Sequence, residues 1–267
     1  MADILTFPHE SAAIEALANC LIADIRRTLG RQGCYRWALA GGSTPKSLYQ
    51  RLARTDAAGV LDWSRIHLLW SDERCVPPGD PQSNYRMVRE SLLDRVPIQA
   101  GNIFPIDGTL DSERSAREYS AILGEDPLDL ILLGMGDDGH TASLFPDTPR
   151  LREETRPVIS TRSPLPPVNR VSLSLRTINA ARRVVFLVLG EQKAGRLAQV
   201  MDQHGRQDAS LPAALVDPGS GALHWFLDHA AASQLGTVPG EAPIAWNDGS
   251  ANSLISCFKD PRSESKK

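Results

Sequence analysis

The residues best suited to chemistry sit in one glycine-rich run, Gly134-Met135-Gly136-Asp137-Asp138-Gly139-His140-Thr141-Ala142-Ser143-Leu144-Phe145-Pro146. Three glycines within Gly134–Gly139 imply an unusual backbone path that delivers Asp138 and His140 to one place. Histidine titrates near neutrality, so His140 suits general-base work on water. Asp138 could orient the imidazole, bind a substrate hydroxyl or cap a helix. An isolated Asp/His pair is more often a cap beside a half-buried ring. Its place directly after an apolar strand moves the reading toward function.

Two further segments resemble anion grips. In Gly41-Gly42-Ser43-Thr44-Pro45 the glycines allow close backbone approach, Ser43 or Thr44 can cap, and Pro45 suits the first helical position. A phosphate there would meet free backbone N–H groups, hydroxyls and the positive end of a helix dipole. The segment is neither a Walker loop nor a full dinucleotide fingerprint. In Ser71-Asp72-Glu73-Arg74, Arg74 could hold a phosphate bidentately while a neighbouring carboxylate fixes the guanidinium. Downstream, Ser83-Asn84-Tyr85 reads as a helix start, with Asn84 a possible hydrogen-bonder. Arg170 opens a strand after the turn Pro164 to Pro167, and Lys193 lies in the first turn of a helix, where a cation opposes the dipole. The other histidines, His9, His67, His204, His224 and His229, lack partners at useful spacing and read as structural.

The elements that must position these groups follow from the apolar pattern. Ile14, Leu17, Leu21, Ile25 and Leu29 predict a helix from Ser11, taken as its N-cap. Tyr35 to Ala40, Ile66 to Trp70, Leu128 to Leu133 and Val184 to Leu189 read as buried strands, and Arg170 to Leu175 as an alternating one. Tyr85 to Leu93, Ser112 to Leu123 and Glu191 to Met201 read as helices. Continuous apolar strands separated by helices indicate a single α/β, Rossmann-like domain: a mostly parallel sheet with helices on both faces. Ligands bind such sheets beyond the strands' carboxyl ends, so the three polar segments should converge on one crevice.

Bulk composition narrows the partners. Hydrophobic residues make up 42% and charged residues 23%, ordinary for a globular protein. A net charge of −3 offers no general attraction for nucleic acid or an acidic membrane. Cys20, Cys34, Cys75 and Cys257 show neither a C-x-x-C pair nor zinc spacing, and read as reduced thiols in a cytosol. No apolar run approaches the roughly 20 residues that span a bilayer, and the N-terminus lacks the pattern of a secretory signal. The expectation is a soluble, cytoplasmic protein using neither metal nor cofactor, a monomer or small homo-oligomer. Residues 1–236 are expected to form the α/β domain, and 237–267, rich in Pro, Gly and Ser, a weakly packed or disordered tail.

Taken in order, Gly-Gly-Ser-Thr-Pro, Asp-Glu-Arg, Asp-Gly-His-Thr-Ala-Ser-Leu-Phe-Pro and the later Arg and Lys resemble the 6-phosphogluconolactonase family, from the first helix to about Leu235. Leu211-Pro212-Ala213 and Trp225-Phe226-Leu227-Asp228 extend the likeness. The resemblance implies the fold shared with glucosamine-6-phosphate deaminases and ribose-5-phosphate isomerases. It also implies cytosolic hydrolysis of 6-phospho-D-glucono-1,5-lactone to 6-phosphogluconate, in the oxidative pentose phosphate pathway. Carried over, His140 is the catalytic base with Asp138 beside it, while Gly42, Ser43, Thr44, Arg74, Arg170 and Lys193 surround the phosphate or sugar. Arg74 is also a candidate for stabilising the oxyanion; Asp137 has no role in this reading. An isomerase or deaminase on the same fold is the nearest rival, with Asp72 as a proton-transfer base. The run Thr141 to Pro146 lacks the glutamate that follows Asp-Gly-His in the deaminases. A sugar-phosphate sensor without turnover is the other alternative, and it would need only the phosphate grip.

Overall fold

A computed structural model describes residues 2–54, 59–206 and 208–236; the expected tail at 237–267, with Cys257, lies outside the described residues. The chain runs β1 (Asp3–Phe7), α1 (Glu10–Leu29), β2 (Tyr35–Leu39), α2 (Ser43–Leu52), β3 (Ile66–Trp70), β4 (Asp72–Arg74), α3 (Asn84–Ser91) and α4 (Ser112–Leu123). It continues through β5 (Leu130–Leu133), β6 (Val158–Arg162), β7 (Asn169–Leu173), α5 (Leu175–Asn179), β8 (Arg183–Val188), α6 (Ala194–Gln203) and β9 (Ala222–Asp228). Six strands form one sheet in the order β1-β9-β8-β5-β2-β3, and all its pairings are parallel.

Burial explains why the inner strands read as continuous apolar runs. All four residues of β5 and all six of β8 are buried. A strand with both side-chain faces out of water must be covered on both sides, so the sheet is the middle layer of an α/β sandwich, as expected. Its core includes Phe186 and Trp225, stacked with ring centroids 3.8 Å apart. The helical stripe of α1 buries Ile14, Leu17, Leu21 and Ile25, but the helix begins one residue earlier than the expected cap. His9 is the N-cap, its Nδ1 accepting the Ala12 N–H at 3.2 Å, and Ser11 lies inside the first turn, bonded to the same ring nitrogen. An imidazole nitrogen can accept like the usual hydroxyl or carboxylate, and the sequence does not distinguish the two.

The second sheet was not expected. Strands β4, β7 and β6 form a three-stranded antiparallel sheet. The polar segment after β3 is thus itself a strand, and the strand read as Arg170 to Leu175 ends at Leu173, with Leu175 opening α5. Ser71 is the joint between the sheets. Its N–H donates to Leu39 O of β2 and its carbonyl accepts from Leu173 N of β7, each at 2.8 Å. The small sheet therefore hangs from the carboxyl end of the large one.

The chain steps from β2 outward to β3 and later returns with β5 on the other side of β2. The carboxyl ends of β2 and β5 flank this reversal of strand order, the place where open α/β sheets bind ligands.

Candidate active site

A cavity of about 230 Å³ opens at that reversal. Its walls are Gly41 to Pro45 after β2, Ser71, Asp72 and Arg74 after β3, Asn84 of α3, Gly134 to Gly136 with His140 and Ala142 after β5, and Lys193 after β8. The three polar segments converge as the sheet topology requires.

The turn after β5 is closed on itself. Gly136 N–H donates to His140 O at 2.9 Å, and Gly139, at φ 82°, donates to Gly136 O at 3.1 Å. That closure presses the His140 ring onto position 136, where a Cβ would lie 2.1 Å from Nδ1; only glycine fits. Asp138 Oδ1 accepts the His140 backbone N–H at 3.1 Å and faces the ring Nδ1 at 2.5 Å. Burial pushes the Asp138 carboxyl upward, but the His140 N–H, the ring's charge and its hydrogen bond prevail and hold it below the usual range. Phe145 lies against the imidazole, with ring centroids 4.8 Å apart. Ala142 sits at φ 48°, a left-handed conformation that costs a non-glycine residue roughly 1–2 kcal/mol. The next residue anchors it: Ser143 donates its hydroxyl to Asp72 Oδ2 at 2.7 Å and its N–H to Ser172 Oγ at 3.2 Å.

The loop after β2 presents an uncapped helix start. Gly42, at φ 104°, is the N-cap of α2, and among the described residues no side chain caps the helix's first turn. The expected cap by Ser43 or Thr44 is therefore absent, since both lie inside the helix and Pro45 is its third residue rather than its first. The first-turn N–H groups thus have no capping side chain and face the cavity with their dipole's positive end. Tyr49, one turn on, clamps the strand end: its buried hydroxyl accepts the Ala40 N–H at 2.9 Å and donates to Ala40 O at 2.8 Å. Gly41 makes room for Asn84, whose Oδ1 would lie 1.9 Å from a Cβ there. Asn84 Nδ2 donates to Asp72 O at 3.0 Å.

Three cations were expected to complete the site. Arg74 lines the cavity and donates from Nη1 to Gln82 O at 2.7 Å; its buried Nε has no partner among the described residues. Lys193, just ahead of α6, lines it too and pairs with Asp137 Oδ1 at 2.5 Å, which gives Asp137 a contact the sequence did not suggest. Arg170 is not among the lining residues. It stands opposite Arg74 in the β4–β7 ladder, buried, with Nε and Nη1 unpartnered among the described residues. Burial and then the neighbouring Arg74 lower its pKa, against the pull of Asp72 and Glu73. Two guanidinium groups side by side with unmet donors are suited to an anion.

The sequence profile of the family described as glucosamine-6-phosphate isomerases/6-phosphogluconolactonase matches residues 8–225. The chain belongs to this family. A 6-phosphogluconolactonase of Rattus norvegicus is 40% identical over 251 residues, covering 90% of this chain and 95% of the relative. The endoplasmic bifunctional GDH/6PGL protein of Homo sapiens is 39% identical across 81% of this chain, which spans only 28% of that longer protein. The solved structure of 6-phosphogluconolactonase from Thermotoga maritima superposes with a TM-score of 0.75 at 31% identity, covering 85% of this chain and all of that one. The family's shared fold is thus the frame on which the His140 turn, the Gly41–Pro45 loop and the Arg74 strand are mounted. Among the described residues no helix is long and apolar enough to cross a membrane.

Proposed function

We propose that this protein is a 6-phosphogluconolactonase, hydrolysing 6-phospho-D-glucono-1,5-lactone to 6-phosphogluconate in the oxidative pentose phosphate pathway. The observation that carries the reading is the His140–Asp138 pair at the mouth of a cavity whose other walls are an uncapped helix start and the cations Arg74 and Lys193. The relatives' names support the same substrate. The reading includes a cytoplasmic setting and assigns the activity to residues 1–236.

In this mechanism Asp138 takes the Nδ1 proton's hydrogen bond, which fixes the tautomer and leaves Nε2 as the base. Nε2 accepts a proton from water as the water oxygen attacks C1 of the lactone. The carbonyl electrons move onto oxygen, where Arg74 or a backbone N–H stabilises the charge. Collapse of the tetrahedral intermediate breaks the bond to the ring oxygen, which takes the proton back from the imidazolium. A δ-lactone is an activated ester, so no covalent nucleophile is required. Gly42, Ser43, Thr44 and Lys193 hold the phosphate or sugar, and Arg170, buried opposite Arg74 on the adjacent strand, joins them as a second guanidinium for the anion.

The test is turnover of freshly generated lactone, with spontaneous hydrolysis subtracted. His140→Ala should lower kcat by about 10²–10⁴-fold with little change in KM. Lys193→Ala should instead mainly raise KM, since grip on a phosphate is largely the same in ground and transition states. An unchanged kcat in His140→Ala removes that residue from the mechanism, and absence of turnover by the folded wild type removes the lactonase reading. In that event Asp72, buried and on the cavity wall, directs attention to isomerase and deaminase assays.

A further inference from the structure

Glu73 lies between two cavity residues but does not line the cavity itself. Successive side chains of a strand point to opposite faces, so Asp72 and Arg74 of β4 turn toward the site and Glu73 turns away, to the start of α3. It is only 2% exposed. A buried carboxylate is costly unless hydrogen-bonded, and this one accepts four donors. Oε1 takes the backbone N–H of Arg74 at 2.7 Å and of Asn84 at 2.8 Å. Oε2 takes the N–H of Tyr85 at 2.7 Å and the Ser83 hydroxyl at 3.1 Å. Burial raises its carboxyl above the usual range, with the N–H groups of Tyr85, Asn84 and Arg74 pulling the other way.

These bonds do more than cap a helix. Asn84 and Tyr85 are the first two residues of α3, and their orphan N–H groups are satisfied by a side chain from a different element. Oε1 alone joins the backbones of Arg74 and Asn84, the two residues that bring a guanidinium and an amide to the cavity wall. Arg74 is tied to the same turn again through Gln82 O. Asn84 in turn reaches Asp72 and packs over Gly41.

We infer that Glu73 is a positioning residue for the reaction: its carboxylate fixes Arg74 and Asn84 in register with each other, and so sets the geometry in which they meet the phosphorylated lactone. The inference rests on the lactonase reading of the site.

A double-mutant cycle tests it on the full chain. Glu73→Gln keeps the shape but sets an amide NH₂ against N–H donors, and should lower kcat/KM by roughly tenfold to hundredfold in folded protein. In an Arg74→Ala or Asn84→Ala background the same change should cost much less, because the residue it positions is already gone. A cap with no part in function would lower the melting temperature of Glu73→Gln and leave kcat and KM at wild-type values. That result, or losses that simply multiply across the cycle, overturns the inference. If Glu73→Gln does not fold, Glu73→Asp retains the charge but withdraws it along the chain, and wild-type kcat/KM in that variant overturns it equally. Calorimetric titration of the same variants with 6-phosphogluconate gives a second readout. Coupling seen in binding while wild type shows no lactone turnover would sink the lactonase reading and keep the role of Glu73.

Discussion

Gly136 tests the catalytic pair without touching either member. An alanine Cβ there would lie 2.1 Å from His140 Nδ1 and 2.8 Å from Asp138 Oδ1, so the ring or the carboxylate must leave its place. Gly136→Ala should therefore lower kcat by an amount approaching that of His140→Ala, about 10²–10⁴-fold, while circular dichroism shows the fold intact. Activity near wild type would mean that the observed His140–Asp138 contact is not used in turnover. This part of the site was legible in sequence because the pair and its glycines are contiguous. Ser143 and Tyr49 carry no such signal. Glu73 was readable only as a carboxylate that could fix the Arg74 guanidinium, whereas it binds backbone N–H groups. What these residues do depends on partners brought by folding. Ser143 meets Asp72 from 71 positions away, and no spacing rule reaches that far. Arg170 was legible as a cation, but its burial beside Arg74 follows only from the antiparallel pairing.

At the scale of elements, the start of α3 is where sequence and long-range structure meet. Ser83 was readable as a helix start, and it is the N-cap, its hydroxyl accepting the Arg86 N–H at 3.2 Å. The same hydroxyl donates to Glu73, so one oxygen serves both the local cap and the tie to β4. Ser83→Ala should cost about 1 kcal/mol, seen as a fall of about 2–4 °C in melting temperature for a domain of this size. A melting temperature unchanged by the substitution would show that Glu73 alone caps the helix. Strands β2, β3, β5 and β8 were legible to within two residues because burial on both faces writes a mostly apolar run, broken in β2 and β3 by the half-buried Arg36 and His67. Strands β4 and β6 left no such trace: β4 has three residues, all charged, and β6 (Val158–Arg162) mixes Ser, Thr and Arg with two aliphatics. Their pairing with β7, not their own pattern, makes them strands.

For the whole molecule, the parallel sheet separates two polar ends. The carboxyl end holds the cavity, and the amino end holds an ionic network that is buried on α1, β2, β8 and β9 and reaches the exposed Asp3 of β1. Arg183 Nη1 faces His224 Nε2 at 3.0 Å, Arg183 Nη2 donates to Asp24 Oδ1 at 3.4 Å, and the Tyr35 hydroxyl donates to Asp24 Oδ2 at 2.8 Å. A guanidinium has only donors, so Nε2 must accept, and that requires a neutral imidazole. Burial lowers the His224 pKa below 6.5; the hydrogen bond to Asp3, with Nδ1 3.1 Å from its carboxylate, opposes that, and the Arg183 charge reinforces it. The sign follows: in the unfolded chain His224 gains its proton as pH falls through about 6.5, whereas in the fold it resists until lower pH. Its contribution to stability is thus complete above that value and declines below it. Between about pH 7.5 and about pH 5.5 the wild-type melting temperature should fall more steeply than that of His224→Gln, which has no proton to take up. Parallel slopes for the two proteins would show that the amino-end network does not require a neutral histidine, and that acid sensitivity arises elsewhere.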